Sequence, residues 1–434
     1  MVLKGILVTI ATLLLLTDSS QSGNDDGCKP APPSGCVYKV TDNLPTVICN
    51  NLNLKAIPTC LPGKTHPKKL IINGNNISQI TSIRYDTLEY LYIESDNVLN
   101  IVLYAFGHLS NLTVLSLRNN FITDIQRDTF IGLTHLKELY LTNNSIKTLP
   151  HHAFFYLPQL KILEINKNSI ASISDGAFAN LTVLSELNLR DNKLIAVPKF
   201  NNTRLDLDIL NLGQNKLTEI PHEPFKTLKY LKTLYLDDNE IITLPHSAFW
   251  GLDHLKLLHL ENNQLSHIWY HLFLDPWESL LEVYLHNNNI AELNPIQLPW
   301  KQLHVVTLDD NHWLCTCKTV WMKSLRAVID NSTSIICANP PEVQGQNILN
   351  LDDSSLHCSH SGVSIPGIIV GVLISLALLV TVGYLLYRCV KRKSIHLAST
   401  SVYRRMGGSH SNQRNGRELP VSNQTLHDEG DDEL

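Results

Sequence analysis

The sequence predicts an α/β solenoid: a horseshoe of short stacked coils with a disulfide cap at each end, then one transmembrane helix and a disordered cytosolic tail. Three observations carry the prediction. A leucine and asparagine pattern recurs about every 24 residues, two sets of four cysteines bracket it, and an uncharged apolar run follows the second set.

At the front, Lys4 precedes the apolar run Ile6–Leu16, and Ser20 and Ser22 are the small residues ahead of a cut before Gly23. That pattern marks residues 1–22 as a secretory signal peptide, to be set apart from the fold. Residues 23–66 then form a cap carrying Cys28, Cys36, Cys49 and Cys60. An even set of cysteines in an exported region reads as a disulfide framework, and four cysteines allow three pairings.

Residues 67–313 hold about eleven copies of L-x-x-L-x-L-x-x-N-x-L, including Leu112–Ile122, Leu136–Ile146, Leu160–Ile170 and Leu255–Leu265. In L-x-L the leucines of a short strand point inward and the residues between them outward, because side chains alternate along a strand. The Asn of each copy can satisfy buried backbone groups where the coil turns, which an apolar residue cannot do. Asp96 replaces one rung of this asparagine ladder. A phenylalanine keeps the same beat from Phe106 to Phe273, with Phe200 off it in one short copy. No coil can bury its apolar flank alone, so stability comes from stacking on neighbours, and the end coils need caps.

The rear cap spans residues 314–358. Its run Asn311-His312-Trp313-Leu314-Cys315-Thr316-Cys317, with Cys337-Ala338-Asn339-Pro340-Pro341-Glu342 and Cys358, resembles the extracellular leucine-rich-repeat family with amino- and carboxy-terminal flanking caps. The resemblance implies that Cys315 pairs with Cys337 and Cys317 with Cys358. His312 stands where the family has proline, and Tyr38 where its front cap has a second cysteine, so the front pairing stays open. The layout is also similar to transmembrane members of the insect leucine-rich immune proteins. Adhesion proteins, immune receptors and guidance receptors all share this family, so the resemblance speaks to fold more than to role.

Outward strand positions line the concave face of such a solenoid. In the rear coils they place Tyr235, His259 and Tyr284 on adjacent strands about 4.8 Å apart, as one aromatic strip. Asp237, Asp238, Glu261, Glu282 and Asp309 lie beside it together with His286, and no Lys or Arg occupies the corresponding positions of these coils. Rigid aromatics supply contact area and the acids select a basic protein partner, so this strip is the expected ligand site. The six sequons on the expected lumenal side begin at Asn76, Asn111, Asn143, Asn180, Asn201 and Asn331. A sugar on Asn143 would shield the middle of the face, which again favours the rear.

After a linker at 359–364, residues 365–387 carry no charge and would be roughly 34 Å long as a helix, enough to cross a bilayer. Arg388, Lys391, Arg392 and Lys393 follow, so the positive-inside rule puts residues 388–434 in the cytosol and the solenoid outside the plasma membrane. Gly367, Gly371 and Ser375 make a small-residue stripe that suits helix dimerisation. In the tail, Tyr403 and Met406 fit a Y-x-x-Φ sorting pattern and Cys389 is placed for palmitoylation.

The sequence contains no G-x-S-x-G, H-E-x-x-H, P-loop or C-x-x-C motif, so neither an enzyme nor a cofactor is expected. A net charge of −5 points away from nucleic acid. Two binding roles remain: a recognition receptor or co-receptor for a protein ligand, including one in innate immunity, and a cell-adhesion molecule. The acidic face and the short linker favour the receptor.

Overall fold

The L-x-L segments form three-residue strands, as in Ile162–Glu164, where Leu163 is fully buried and its two neighbours face outward half-buried. The computed structural model describes residues 33–61, 66–200, 205–327, 329, 334–356, 358 and 378–384. In the unit Met1–Cys358, thirteen strands form one sheet. The first two, Val37–Thr41 and Leu44–Ile48, are an antiparallel hairpin. The other eleven run parallel, one per coil, from Lys69–Ile71 to Val305–Thr307.

Behind the sheet the core is a continuous column of leucine, isoleucine and phenylalanine at or near zero exposure. Phe106, Phe130, Phe154 and Phe178 stack with ring centroids 5.9–6.3 Å apart. Phe200, off the beat in sequence, continues that spine at 6.1 Å from Phe178, so the short coil keeps its core contact. The long coil absorbs its extra residues in a 3-10 turn, Asp275–Glu278, that buries Pro276.

The ladder asparagines bond as their chemistry allows. The Asn120 amide donates to the carbonyls of Ile93 and Leu117 at 2.8 and 3.1 Å, and its oxygen accepts from Asp96 N and Val98 N. Just before each rung the backbone turns left-handed, at Asn119, Asn143, Asp191, Asp238, Asn262 and Asn287 among others. Asn and Asp tolerate that conformation better than other side chains, which explains the recurrent Asn-Asn and Asp-Asn doublets.

One expectation is corrected. The coils are not α/β: among the described residues of this unit there is no α-helix. The backs of the coils are chains of tight turns, with Leu157 N bonded to Phe154 O and Leu160 N to Leu157 O. A coil of about 24 residues, once strand and ladder are placed, leaves too short a return arm for a helix that must also bury both a Phe and a Leu.

Both ends are closed by disulfides. Cys36–Cys49 ties the front hairpin across its open end, and Cys60 is bridged too. At the rear, Cys315–Cys337 and Cys317–Cys358 hold the cap, and the fully buried Trp313 lies under it with its indole N–H on Leu308 O.

In the second unit, Ser359–Leu434, the described residues 378–384 are helical and expose Leu378, Leu379, Val380 and Val382. Among the described residues no helix is long and apolar enough to cross a membrane. The expected signal peptide, Cys28, Asn201, Asn331, most of 365–387 with Gly367, Gly371 and Ser375, and the tail with Cys389, Tyr403 and Met406 lie outside the described residues.

Candidate functional site

Parallel register brings the predicted aromatic residues into line. Tyr235 pairs across the sheet with His259, and His259 with Tyr284. Their rings stack face to face, with centroids 4.5 and 4.3 Å apart and planes within 15° and 5°. The strip expected from sequence therefore exists, but its geometry changes what it offers. The inner faces are spent on one another, so a partner meets mainly ring edges and hydroxyls.

Carboxylates hold the stack upright. The Tyr284 hydroxyl donates to Glu282 Oε2 at 2.9 Å, and His259 Nδ1 sits 2.8 Å from Glu261 Oε1. Burial, together with the hydrogen bond to Glu282, pushes the Tyr284 phenol up to about 12. Burial also raises the Tyr235 phenol, with Asp237 and Glu261 adding to it. Both tyrosines thus stay neutral donors across the physiological range. His286 Nδ1 pairs with the Thr307 hydroxyl at 2.8 Å.

No Lys or Arg occupies the corresponding positions of these coils, yet a cation reaches the face from elsewhere. Arg190, two coils toward the front, extends across the intervening strand to Asp237 Oδ2 at 2.5 Å and Asp238 Oδ2 at 2.7 Å. Gly213 makes this possible. A Cβ there would fall on the Arg190 guanidinium and 2.5 Å from Asp237 Oδ1. Asp237 is almost fully buried, and burial raises its carboxyl despite the opposing Arg190 charge, with Glu261 and Asp238 adding to the rise. Burial works against the Arg190 charge, but its hydrogen bonds to the two aspartates outweigh that and hold the guanidinium protonated more firmly.

The nine predicted ligand residues therefore divide. Asp237 and Asp238 are closed off by Arg190, while Glu261, Glu282 and Asp309 have no Lys or Arg partner among the described residues, and Glu261 pairs with His259. Arg190 and Gly213 escaped the reading by single coils because the bridge skips a coil; comparing positions two coils apart would have found it. Also overlooked was the first outward column, where Ile209, Thr233 and Leu257 stand half-buried beside the ring stack.

A second long bridge lies toward the front. Arg118 covers the Tyr140 ring at 3.7 Å and reaches Glu164 at 2.8 Å. Of the sequon asparagines, Asn76, Asn111, Asn143 and Asn180 are exposed, and Asn143 stands beside the sheet with its amide on Asn119 Oδ1.

A family model described as leucine rich repeat matches residues 86–146, 134–194 and 206–265. The matched segments are similar to leucine-rich repeats. Rat chondroadherin is 34% identical over 77 residues, 17% of this chain and 20% of that protein. The chain thus aligns with about one fifth of the curated relative's length. Among solved structures, a chain of the mouse RP105/MD-1 complex superposes with a TM-score of 0.61 at 24% identity, covering 71% of this chain and 53% of that one. A chain of the octameric complex of Latrophilin 3, Unc5D and FLRT2 gives 0.53 at 22%, covering 76% of this chain and all of that one. A chain of the Drosophila Toll–Spätzle complex gives 0.51 at 20%, covering 70% and 53%. These likenesses establish the leucine-rich-repeat fold.

Proposed function

We propose that this chain is a cell-surface recognition receptor or co-receptor that binds a basic protein ligand on the rear third of its leucine-rich-repeat sheet. The observation that carries the reading is the rear face itself. Three stacked rings stand beside Glu282 and Asp309, which have no Lys or Arg partner among the described residues, and Glu261, whose pair is His259, on coils between Leu205 and Thr307 where no sequon falls. Aromatic anchors next to unpaired charge are what a selective protein interface needs. The RP105/MD-1 and Toll–Spätzle structures are complexes with protein partners by their own descriptions, which supports a protein ligand here.

The rest of the assignment rests on sequence. A signal peptide at 1–22, a membrane helix at 365–387, glycans on the six sequons and a cytosolic tail together make a single-pass type I protein of the plasma membrane. In this reading a partner subunit carries the signal. Gly367, Gly371 and Ser375 are the stripe on which such a subunit or a second copy would pack. Sorting through Tyr403 and Met406 and lipidation at Cys389 complete the proposed tail functions, and an innate-immune setting follows from the layout shared with the insect immune proteins.

The deciding test is binding of the multimerised extracellular part to cells with and without the full-length chain. Binding that ignores expression of the chain, and that falls at least tenfold when Tyr235→Ala and Tyr284→Ala are combined, supports a heterophilic receptor. Binding confined to cells that express the chain would replace this reading with homophilic adhesion.

A further inference from the structure

The rear face carries three parallel stripes that run along the solenoid, across the strands. The first is apolar at Ile209, Leu257 and Val305, with Thr233 and Glu282 between them, the Glu282 carboxylate accepting from the Tyr284 hydroxyl. The second is the ring stack Tyr235, His259 and Tyr284. The third, two residues beyond each strand, is acidic at Glu261 and Asp309 once Arg190 has closed off Asp237. Lys232 and Lys256 are exposed on the opposite edge, and Lys232 is already paired with Asp208 at 2.8 Å.

From these stripes we infer that the ligand element is an amphipathic α-helix, laid along the solenoid axis with its apolar side on Ile209 and Leu257 and a basic flank toward Glu261 and Asp309. The inference rests on the proposed rear-face binding role and narrows its partner.

Three magnitudes favour a helix over an extended strand. Adjacent strands are about 4.8 Å apart and a helix rises about 5.4 Å per turn, so each coil meets roughly one turn. A strand in the same orientation would advance about 6.8 Å between same-side residues and fall out of step. The three stripes together span roughly 13 Å along the strand direction, close to the 10–12 Å diameter of a helix with its side chains. From Ile209 to Val305 the face covers four strand spacings, about 19 Å, which about 13 helical residues would fill.

Charge decides the orientation. Glu261 Oε2 is buried and unpaired, and the Asp309 carboxylate has no partner among the described residues, so basic residues of the helix belong on that side. The stacked rings form a low wall between the stripes. Their edges and the Tyr284 hydroxyl, rather than their inner faces, touch the helix backbone side.

The test uses the full chain in zwitterionic lipid nanodiscs, with empty discs subtracted, and two synthetic leucine–lysine peptides of about 14 residues. One is patterned to be amphipathic as a helix, and the other is a scramble of the same composition. The patterned peptide should bind at least tenfold tighter than the scramble. Leu257→Asp, Glu261→Gln and Glu261→Lys should each weaken it, the charge reversal by tenfold or more, while Lys69→Ala at the front should not. Glu261→Gln preserves shape, so its effect does not depend on how Leu257→Asp folds.

Equal binding of the two peptides would overturn the helix assignment, as would indifference to both the Leu257 and Glu261 changes. If cell binding still depends on Tyr235 and Tyr284 while the patterned peptide fails, the receptor reading stands and only the helical partner falls. If neither depends on the rear face, both fall.

Discussion

The front and rear of the sheet are built from the same residue types and put them to opposite use. At the front, Arg118 lies on the Tyr140 ring and completes an ion pair with Glu164, so aromatic face, cation and carboxylate are all consumed within the chain. At the rear, Tyr284 and Glu282 repeat the arrangement of Tyr140 and Glu138, with each tyrosine hydroxyl on the carboxylate two residues earlier. Yet the position one coil back, Arg118 at the front, is Glu261 at the rear. The cation is missing where the chain would otherwise supply it. A closed face and an open face can thus share one scaffold and differ by a charge at a single column.

That contrast holds only if the coils beneath both regions are equally sound, and the largest effects should show it. Asn144→Ala at the front and Asn263→Ala at the rear each remove a rung whose oxygen accepts from the preceding coil's backbone and whose amide donates to carbonyls such as Leu117 O or Leu236 O. With several buried groups left unpaired at 1–3 kcal/mol each, both should lose about 3–5 kcal/mol by denaturant unfolding. A loss at Asn263 less than half that at Asn144 would mean that the rear is intrinsically looser, and the comparison would reduce to disorder.

Next in size is Gly213→Ala. Its methyl group expels the Arg190 guanidinium and strands a buried Asp237, at a cost of about 3 kcal/mol. Adding Asp237→Asn should recover much of that loss in thermal melts. Failure of the second change to rescue the first would show that Gly213 serves the backbone rather than the bridge.

Asp96 sharpens the contrast within the ladder. Burial pushes its carboxyl up to about 6, against the opposing hydrogen bonds from Asn75, and Oδ2 is buried with no partner. The folded chain therefore retains a proton that the unfolded chain releases near pH 4. Stability contributed by the neutral acid is full below about pH 4 and is lost as pH rises through 6. Asp96→Asn should accordingly stabilise the front by about 1–2 kcal/mol at pH 8 and by almost nothing at pH 4. Hydrogen exchange of the coils around Ile93 at the two pH values measures it, and an equal gain at both would remove the protonated-acid account.

The smallest effect belongs to Arg118→Ala. Its ion pair and ring contact are about one-third exposed, so about 0.5–1 kcal/mol should be lost, screened further by salt. The informative reading is binding: an uncovered Tyr140 beside Glu138 and Glu164 should make the front bind the patterned peptide weakly where it did not before.

Repetition made the coils, the inward leucines and the alignment of Tyr235, His259 and Tyr284 legible before any coordinates. These follow from a strand period of two and a fixed coil length, both local properties. The pattern could not reveal what crosses coils. The Arg190 bridge depends on an absent side chain at Gly213, and the lack of helices on the coil backs depends on how much of each return arm the core demands. Side-chain stacking was likewise out of reach, because register places rings side by side without saying whether they lie flat on the sheet or stand against each other.

The Arg190 bridge also fixes an arithmetic. Chains of repeating coils can gain or lose a whole coil by duplication or deletion of the encoding segment, since each coil needs only neighbours of its own kind. Between Arg190 and Asp237 that freedom is gone. Deleting the coil that carries Gly213 would set the guanidinium one strand from its carboxylates with no gap to cross, and inserting one would put them beyond its reach. The coil count of this chain is therefore locked immediately before the open face, as it is between Arg118 and Glu164 toward the front.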